Sequence, residues 1–400
     1  MLKGLRFISV LMSLPLILST TNAQAYSHVP PQSIPAFLEK IMASPALADP
    51  SMILIDESTG EVVFERNADS LRKPASVLKI VSASSALKYL DPNLQYRTSI
   101  NLGKAKNTIV INGQYDPWIS YSYSAAKKQH RTSLPFLTTK SLQMLRKINH
   151  KSARHLTIKY SGLYSRDIAN FRAFYAMRGV STTMKQVTAE QALAASGEEL
   201  ASGNSPTVAT MLEWTLTWSD NLLAERFARL ASRAAGNKFD DAGVAKTFTQ
   251  MFNELGISDP KIQISDASGL SKNNRVSART IAELLAKIRN ESTYATVFKG
   301  LPVSGITGTL ENRYITTAPQ AVGLIHAKTG TLNGTMSLAG YVEAGDREYI
   351  FVTFADRIPK STRAENLARI TLDKAIAKLA SPLINLPKFQ ATMIETSTAN

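Results

Sequence analysis

Apolar positions fall into a few sharply bounded runs, and those runs define most of the elements. Residues 52–56 (MILID) form a continuous apolar stretch of strand length, 57–60 supply turn residues, and 61–65 read as a second strand, so a hairpin opens the pattern. Pro74 stands just ahead of an apolar-periodic run reaching about Leu90, a good start for a helix, and Asp91-Pro92-Asn93 stops it. Residues from about 96 to 200 differ in character: 108–112 and 156–159 read as strands, set among basic and aromatic segments such as Tyr121-Ser122-Tyr123 and Lys127-Lys128. From Pro206 to about Arg233 the period is helical, interrupted at Ser219-Asp220-Asn221, and 241–255 and 277–289 predict further helices. Three alternating runs follow at 324–329, 335–342 and 349–354; Gly345-Asp346 turns the last pair, making an antiparallel meander. Residues 364–380 read as a closing amphipathic helix, and the tail 387–400 shows no pattern. The expected organisation is one discontinuous domain (26–100 and 205–386) interrupted by an inserted mixed unit at 101–204.

Composition narrows the chemistry. With 400 residues, 44% of them apolar, the chain can bury a large core. It has no cysteine, which excludes disulfides, thiol catalysis and cysteine-ligated metal. Residues 1–25 read as an export signal: Lys3 and Arg6, an apolar run over 7–18, then Ala23-Gln24-Ala25 as a cleavage site. The run is short for a membrane span, and no other long apolar stretch exists, so at most peripheral membrane association is expected, in the periplasm or cell envelope. Formal charge is +15, or +13 once Lys3 and Arg6 are removed. For an exported protein that points to anionic envelope polymers rather than nucleic acid, for which no binding motif is present; a solvated basic surface without a specific partner is the commonest cause of such a charge.

Candidate chemistry starts at Ser76 and Lys79. Three apart on the predicted helix, at its first turn, they share a face, the geometry of a serine nucleophile whose base is a lysine. SxxK alone is weak, since it also starts at Ser70, Ser85, Ser124 and Ser258. Ser70 runs into Pro74, Ser85 is deep in the helix, Ser258 has Pro260 inside it, and Ser124 lies in a polar, tyrosine-rich patch without periodicity. Ser219-Asp220-Asn221 is an SxN tripeptide that reads equally well as a helix N-cap. Lys328-Thr329-Gly330 occurs once, ending an apolar strand and followed by Thr331. Such a strand can hold a substrate carboxylate, and Gly330 lets another backbone approach; the plainer reading is an edge strand guarded by a lysine. The order SxxK, SxN, KTG is the signature of penicillin-binding proteins and class A β-lactamases.

The resemblance extends beyond these motifs. PASVLKIVSASSALKYL, SDNLLAERFAR, SDASGLSKNNRVSA (265–278), LPVSGITGTLENR (301–313) and HAKTGTLNGTMSLAGYV (326–342) resemble segments of the low-molecular-mass class C penicillin-binding proteins, the serine D-alanyl-D-alanine carboxypeptidase/endopeptidase family. That resemblance implies an α/β (α+β) fold: a β-lactamase/transpeptidase-like domain with an antiparallel sheet flanked by helices, interrupted between SxxK and SxN by a smaller inserted domain. It implies as substrate a peptidoglycan stem peptide ending in D-Ala-D-Ala, with β-lactams as covalent inhibitors, and no cofactor. Ser76 would attack and Lys79, made neutral by a buried position beside the cation Lys328, would take its proton. Ser219 would pass the proton to the leaving nitrogen, and Asn221 would hold the substrate amide. The N–H groups of Ser76 and Thr331 would form the oxyanion hole, and Lys328, Thr329 and Thr331 would bind the terminal carboxylate. Lys272 stands where the family often has arginine in the pocket for the stem-peptide side chain. Glu-based deacylation of the class A β-lactamase kind finds no ExxLN element here, which disfavours a β-lactamase; a catalytically silent envelope scaffold is the non-enzymatic alternative. The histidines do not cluster as metal ligands, His326 reads as an ordinary strand residue, and Asp266 and Ser268 as shapers of a turn around Gly269.

Overall fold

Two five-stranded sheets organise the chain in the computed structural model, which describes residues 30–150 and 152–381. The export signal and the tail expected at 1–25 and 387–400 lie outside those residues. Helix α1 (Ile34–Met42) leads into β1 (Ser51–Asp56) and β2 (Val62–Arg66), then a 3₁₀ turn (Ala75–Leu78) and α2 (Lys79–Tyr89). The middle of the chain runs β3 (Gln95–Gly103), β4 (Thr108–Gly113), α3 (Tyr123–Gln129), α4 (Leu134–Asn149), β5 (His155–Ser161), α5 (Ser165–Ala176), β6 (Ser181–Gln186), α6 (Ala189–Ala195) and β7 (Ser196–Thr207). Four elements follow, α7 (Val208–Thr217), α8 (Asn221–Ala234), α9 (Asp241–Glu254) and a small ribbon of β8 (Ile262–Gln263) with β9 (Arg275–Val276). Last come α10 (Ala278–Ile288), α11 (Ala295–Gly300), the meander β10 (Ile325–Leu332), β11 (Thr335–Ala344), β12 (Arg347–Ala355), and α12 (Thr362–Leu379).

The first sheet is antiparallel throughout, in the order β10-β11-β12-β1-β2. Every residue of β1 is buried, because both faces of this sheet are covered. Ile53 and Ile55 face one core with α2 residues Ile80, Val81 and Leu87, whereas Met52 and Leu54 face another with Leu38 of α1 and Leu372 and Ile376 of α12. Two-sided burial is why β1 reads as an unbroken apolar run rather than an alternating one.

The second sheet, β6-β5-β4-β3-β7, is mixed: β4–β5 and β5–β6 are parallel, and β3 pairs antiparallel with β4 and β7. Parallel neighbours need crossovers, which α4 and α5 supply. They bury Leu134, Leu137, Phe171 and Tyr175 against Ile109, Ile111 and Ile158 in a core of their own. The sequence pattern shows neither helix clearly. In α4, Thr138, Thr139 and Ser141 donate their hydroxyls to carbonyls three or four residues back, an accommodation that propensity does not foresee. The stretch around Ser124, read from sequence as unpatterned, is helix α3, capped by the Ser122 hydroxyl; its Ser124 and Lys127 are exposed.

Candidate active site

The nucleophile segment differs from the sequence expectation in one respect. The α-helix starts at Lys79, not beside Pro74; Ser76 sits in the preceding 3₁₀ turn. In a 3₁₀ turn positions i and i+3 eclipse, so Lys79 Nζ reaches Ser76 Oγ at 2.9 Å. Ala75, just before the serine, is held at φ +48°, a left-handed conformation that costs a non-glycine residue about 1–2 kcal/mol. Its surroundings hold it there. A Cβ on Gly269 (φ +83°) would stand 1.8 Å from the Ala75 carbonyl oxygen, and one on Gly330 would stand 2.9 Å from the Pro74 oxygen and 3.0 Å from Ala75 Cβ. Ser337 Oγ of β11 donates to the Pro74 carbonyl at 2.7 Å. The turn is thus clamped between a loop glycine and a strand glycine.

Lys79 is fully buried and spends its three donors on Ser76 Oγ, Asn221 Oδ1 (2.7 Å) and the Ser268 carbonyl (2.6 Å). Burial lowers its pKa to about 8, while the charges of Asp266, Asp220 and Glu225 push back. Asn221 is the first residue of α8, and Asp220 caps that helix by accepting the Leu223 N–H. Asp220 thus acts as the helix cap, while Asn221 is the residue of the tripeptide that meets Lys79. Ser219 has φ +59°, which turns the chain sharply between α7 and α8. Behind it, a Cβ on Gly308 would meet the Thr217 carbonyl at 2.3 Å, so the 301–313 segment packs closely on this loop.

The Ser268 carbonyl is the contributor that sequence reasoning missed. Glu225, one turn beyond Asn221 on α8, accepts the N–H groups of Ala267 (2.9 Å) and Ser268 (2.8 Å). Asp266 accepts the Gly269 N–H and an Asn274 amide hydrogen, and Ser82 of α2 donates to the Ala267 carbonyl. The turn around Gly269 is shaped by Asp266 as expected, but its main-chain oxygen also serves the lysine. The available signal was the i, i+4 spacing of Asn221 and Glu225, which aims both toward one side of α8.

Lys328 is fully buried on β10, donates to the Thr329 carbonyl at 3.0 Å, and lies well below its ordinary pKa through burial first and the Lys79 charge second. Of the two causes expected for a neutral Lys79, burial is the one that lowers its pKa; the opposing charges are Asp266, Asp220 and Glu225, and the Lys79 charge acts on Lys328. Thr329 and Thr309 share a 2.7 Å hydroxyl contact. Thr331 is exposed, with its hydroxyl toward Met336 Sδ (3.7 Å), and Lys272 is exposed on a turn. No hydrogen bond among the described residues joins Thr331, Lys272 or the Ser219 hydroxyl to the Ser76–Lys79–Asn221 cluster. The His326 ring stacks on Phe298 with centroids 4.7 Å apart, an ordinary packing role.

A hydroxyl bonded to a buried amine of depressed pKa, beside a second buried amine, suits acyl transfer through serine. The model of the D-Ala-D-Ala carboxypeptidase 3 (S13) family matches residues 35–133 and 152–379, and the chain belongs to that family. By that membership it is a serine-type carboxypeptidase, a low-molecular-mass class C penicillin-binding protein. Carboxypeptidase DacB of Mycolicibacterium smegmatis is 27% identical over 84% of this chain and 82% of that protein. The D-alanyl-D-alanine carboxypeptidase of Actinomadura sp. is 33% identical over 38% of this chain and 29% of that protein. Penicillin-binding protein 4 of Haemophilus influenzae, solved in complex with a β-lactam, superposes with a TM-score of 0.67 at 15% identity, covering 87% of this chain and 99% of that one, which shows the same fold.

Proposed function

We propose that the protein removes the terminal D-alanine from peptidoglycan stem peptides through an acyl-enzyme on Ser76. The observation that carries this reading is the meeting of Ser76 Oγ, Asn221 Oδ1 and the Ser268 carbonyl at one buried amine, Lys79 Nζ. Lys79 serves as the base in its neutral form, which burial favours by bringing its pKa down to about 8. A substrate carboxylate arriving beside Lys328, Thr329 and Thr331 favours a charged Lys328. A charged Lys328 in turn favours the neutral form of Lys79. Ser76 Oγ then attacks the penultimate carbonyl, and its proton passes by way of Lys79 and Ser219 to the departing D-alanine nitrogen. The N–H groups of Ser76 and Thr331 receive the oxyanion, each donor contributing about 3–4 kcal/mol in sites of this kind. Water releases the acyl group; another stem peptide cross-linked through its amine is the endopeptidase variant of the same chemistry.

A β-lactam acylates the same serine. Its release is slow, because the chain lacks the ExxLN glutamate with which class A β-lactamases deacylate, which disfavours a β-lactamase. The reading includes export to the envelope and the division of the chain into a catalytic domain with an insertion at 101–204. Incubating wild type and Ser76→Ala with defined muropeptides and weighing the products tests it. Loss of one alanine mass with wild type alone is the expected result; equal products from both proteins, or no covalent penicillin adduct on wild type, would overturn it.

A further inference from the structure

The basic charge of this protein is not spread evenly. Residues 117–189 carry thirteen lysines and arginines and one acid, Asp167, which is buried. Elsewhere acids lie among the cations and several are paired in place: Arg66 with Glu39, Arg279 with Glu65 and Asp69, Arg357 with Asp49, Lys261 with Asp259. On the α4–α5 layer the cations have no acid beside them, although Arg178 donates to Thr139 Oγ1 and the Phe174 carbonyl. Lys140, Arg146, Lys147, Arg154, Arg172 and Arg178 are exposed, and among the described residues none of them forms an ion pair. A cleft between α4 and the end of α5 is lined by Leu142, Gln143, Arg146 and Arg178, and a neighbouring one by Arg146, Lys147 and His150.

Complementing the helix dipole explains two cations at the end of α4. It does not explain the whole face, nor the apolar side chains set among the charges. Met177 is 76% exposed beside Arg178, Ile148 is 36% exposed beside Lys147, and Phe136 on α4 is 43% exposed. Cations without acids beside them, interleaved with exposed apolar groups, are the composition that adsorbs to an anionic lipid surface, where headgroup charge and shallow apolar insertion act together. A soluble polyanion would use the charges and leave the apolar groups without purpose.

We propose that the α4–α5 face of the second sheet docks the enzyme on anionic phospholipid headgroups. The face is built from the unit that does not carry Ser76, so docking leaves the catalytic turn unaltered. The test is flotation of the full chain with vesicles of phosphatidylcholine alone or containing phosphatidylglycerol, across a salt series. Partitioning should rise at least roughly tenfold with phosphatidylglycerol and fall with salt. The variant R146Q/K147Q/R172Q should lose that gain while keeping penicillin labelling of Ser76 as a check on folding. Ile148→Ser with Met177→Ser should weaken binding to vesicles severalfold and leave binding to soluble polyphosphate unchanged. Equal partitioning to both vesicles, or a triple variant that binds like wild type, would overturn the proposal. Vesicle binding indifferent to the two serine substitutions and fully competed by polyphosphate would overturn it in favour of an anionic polymer.

Discussion

Two buried lysines compete for protons in a space where charge is costly, and the acceptor count separates them. Lys79 has three acceptors and a pKa lowered to about 8 by burial; Lys328 has one acceptor, and burial and the Lys79 charge hold its pKa well below the ordinary lysine range. Because Lys79 acts as a base only when neutral, the acylation rate of Ser76 by a fluorescent penicillin should climb about tenfold per pH unit below roughly 8 and level off above it. A profile flat from neutrality upward would remove Lys79 from the base role. Gly269 gives a second test at this scale. Its φ of +83° and the 1.8 Å approach to the Ala75 oxygen leave no room for a methyl group. Gly269→Ala should lower stability by about 1–3 kcal/mol in thermal unfolding and abolish penicillin labelling at temperatures where the variant is still folded. Labelling at the wild-type rate would show that the clamp on Ala75 is not needed.

At the scale of elements, α8 carries both the amide that meets Lys79 and the carboxylate that holds the Ser268 loop. Glu225 accepts two main-chain N–H groups and its charge raises the Lys79 pKa. Glu225→Gln keeps an accepting oxygen but removes the charge, so the midpoint of the acylation profile should move to lower pH with little change in melting temperature. A midpoint moving upward, or staying put, would contradict the electrostatic account. What sequence made legible follows the same division. β1, β10, β11 and β12 were readable because burial on both faces or strict alternation leaves a strong pattern, the pairing of Ser76 with Lys79 because i, i+3 spacing matches helical geometry, and Asn221 because its tripeptide follows theirs in the ordered motif set. The Ser268 carbonyl was not readable, since a main-chain oxygen has no residue code, and the 3₁₀ form of the serine turn depends on Gly330 and Gly269 arriving from distant parts of the chain. Helices α4 and α5 were hidden by hydroxyl and basic residues whose partners are visible only in three dimensions.

Across the whole molecule, the two sheets are joined by a buried pair. Arg226, next to Glu225 on α8, donates to the Pro117 carbonyl at 3.0 Å, lies 3.6 Å from Asp167 Oδ1 at the start of α5, and sits over the Tyr164 ring. Asp167 also accepts from the Tyr121 hydroxyl at 2.6 Å. Both charged side chains are almost wholly buried. The layer of the second sheet thereby braces the helix that presents Asn221, and the brace is electrostatic. Burial raises the Asp167 pKa and Arg226 holds it down. Arg226→Met leaves that carboxylate buried without its counter-charge, a loss of about 3–5 kcal/mol in comparable pairs. The sign of its pH dependence follows. With the native pKa raised above the unfolded value, the native state binds a proton the unfolded chain does not. The variant's deficit is therefore full at neutral pH and above, and shrinks as acid protonates Asp167. Melting curves of wild type and Arg226→Met from neutrality down to about pH 5 should converge toward the acid end. Adding Asp167→Asn should recover most of the loss at neutral pH. Parallel curves, or no recovery in the double variant, would mean that Arg226 works through packing on Tyr164 and that charge does not couple α5 to α8.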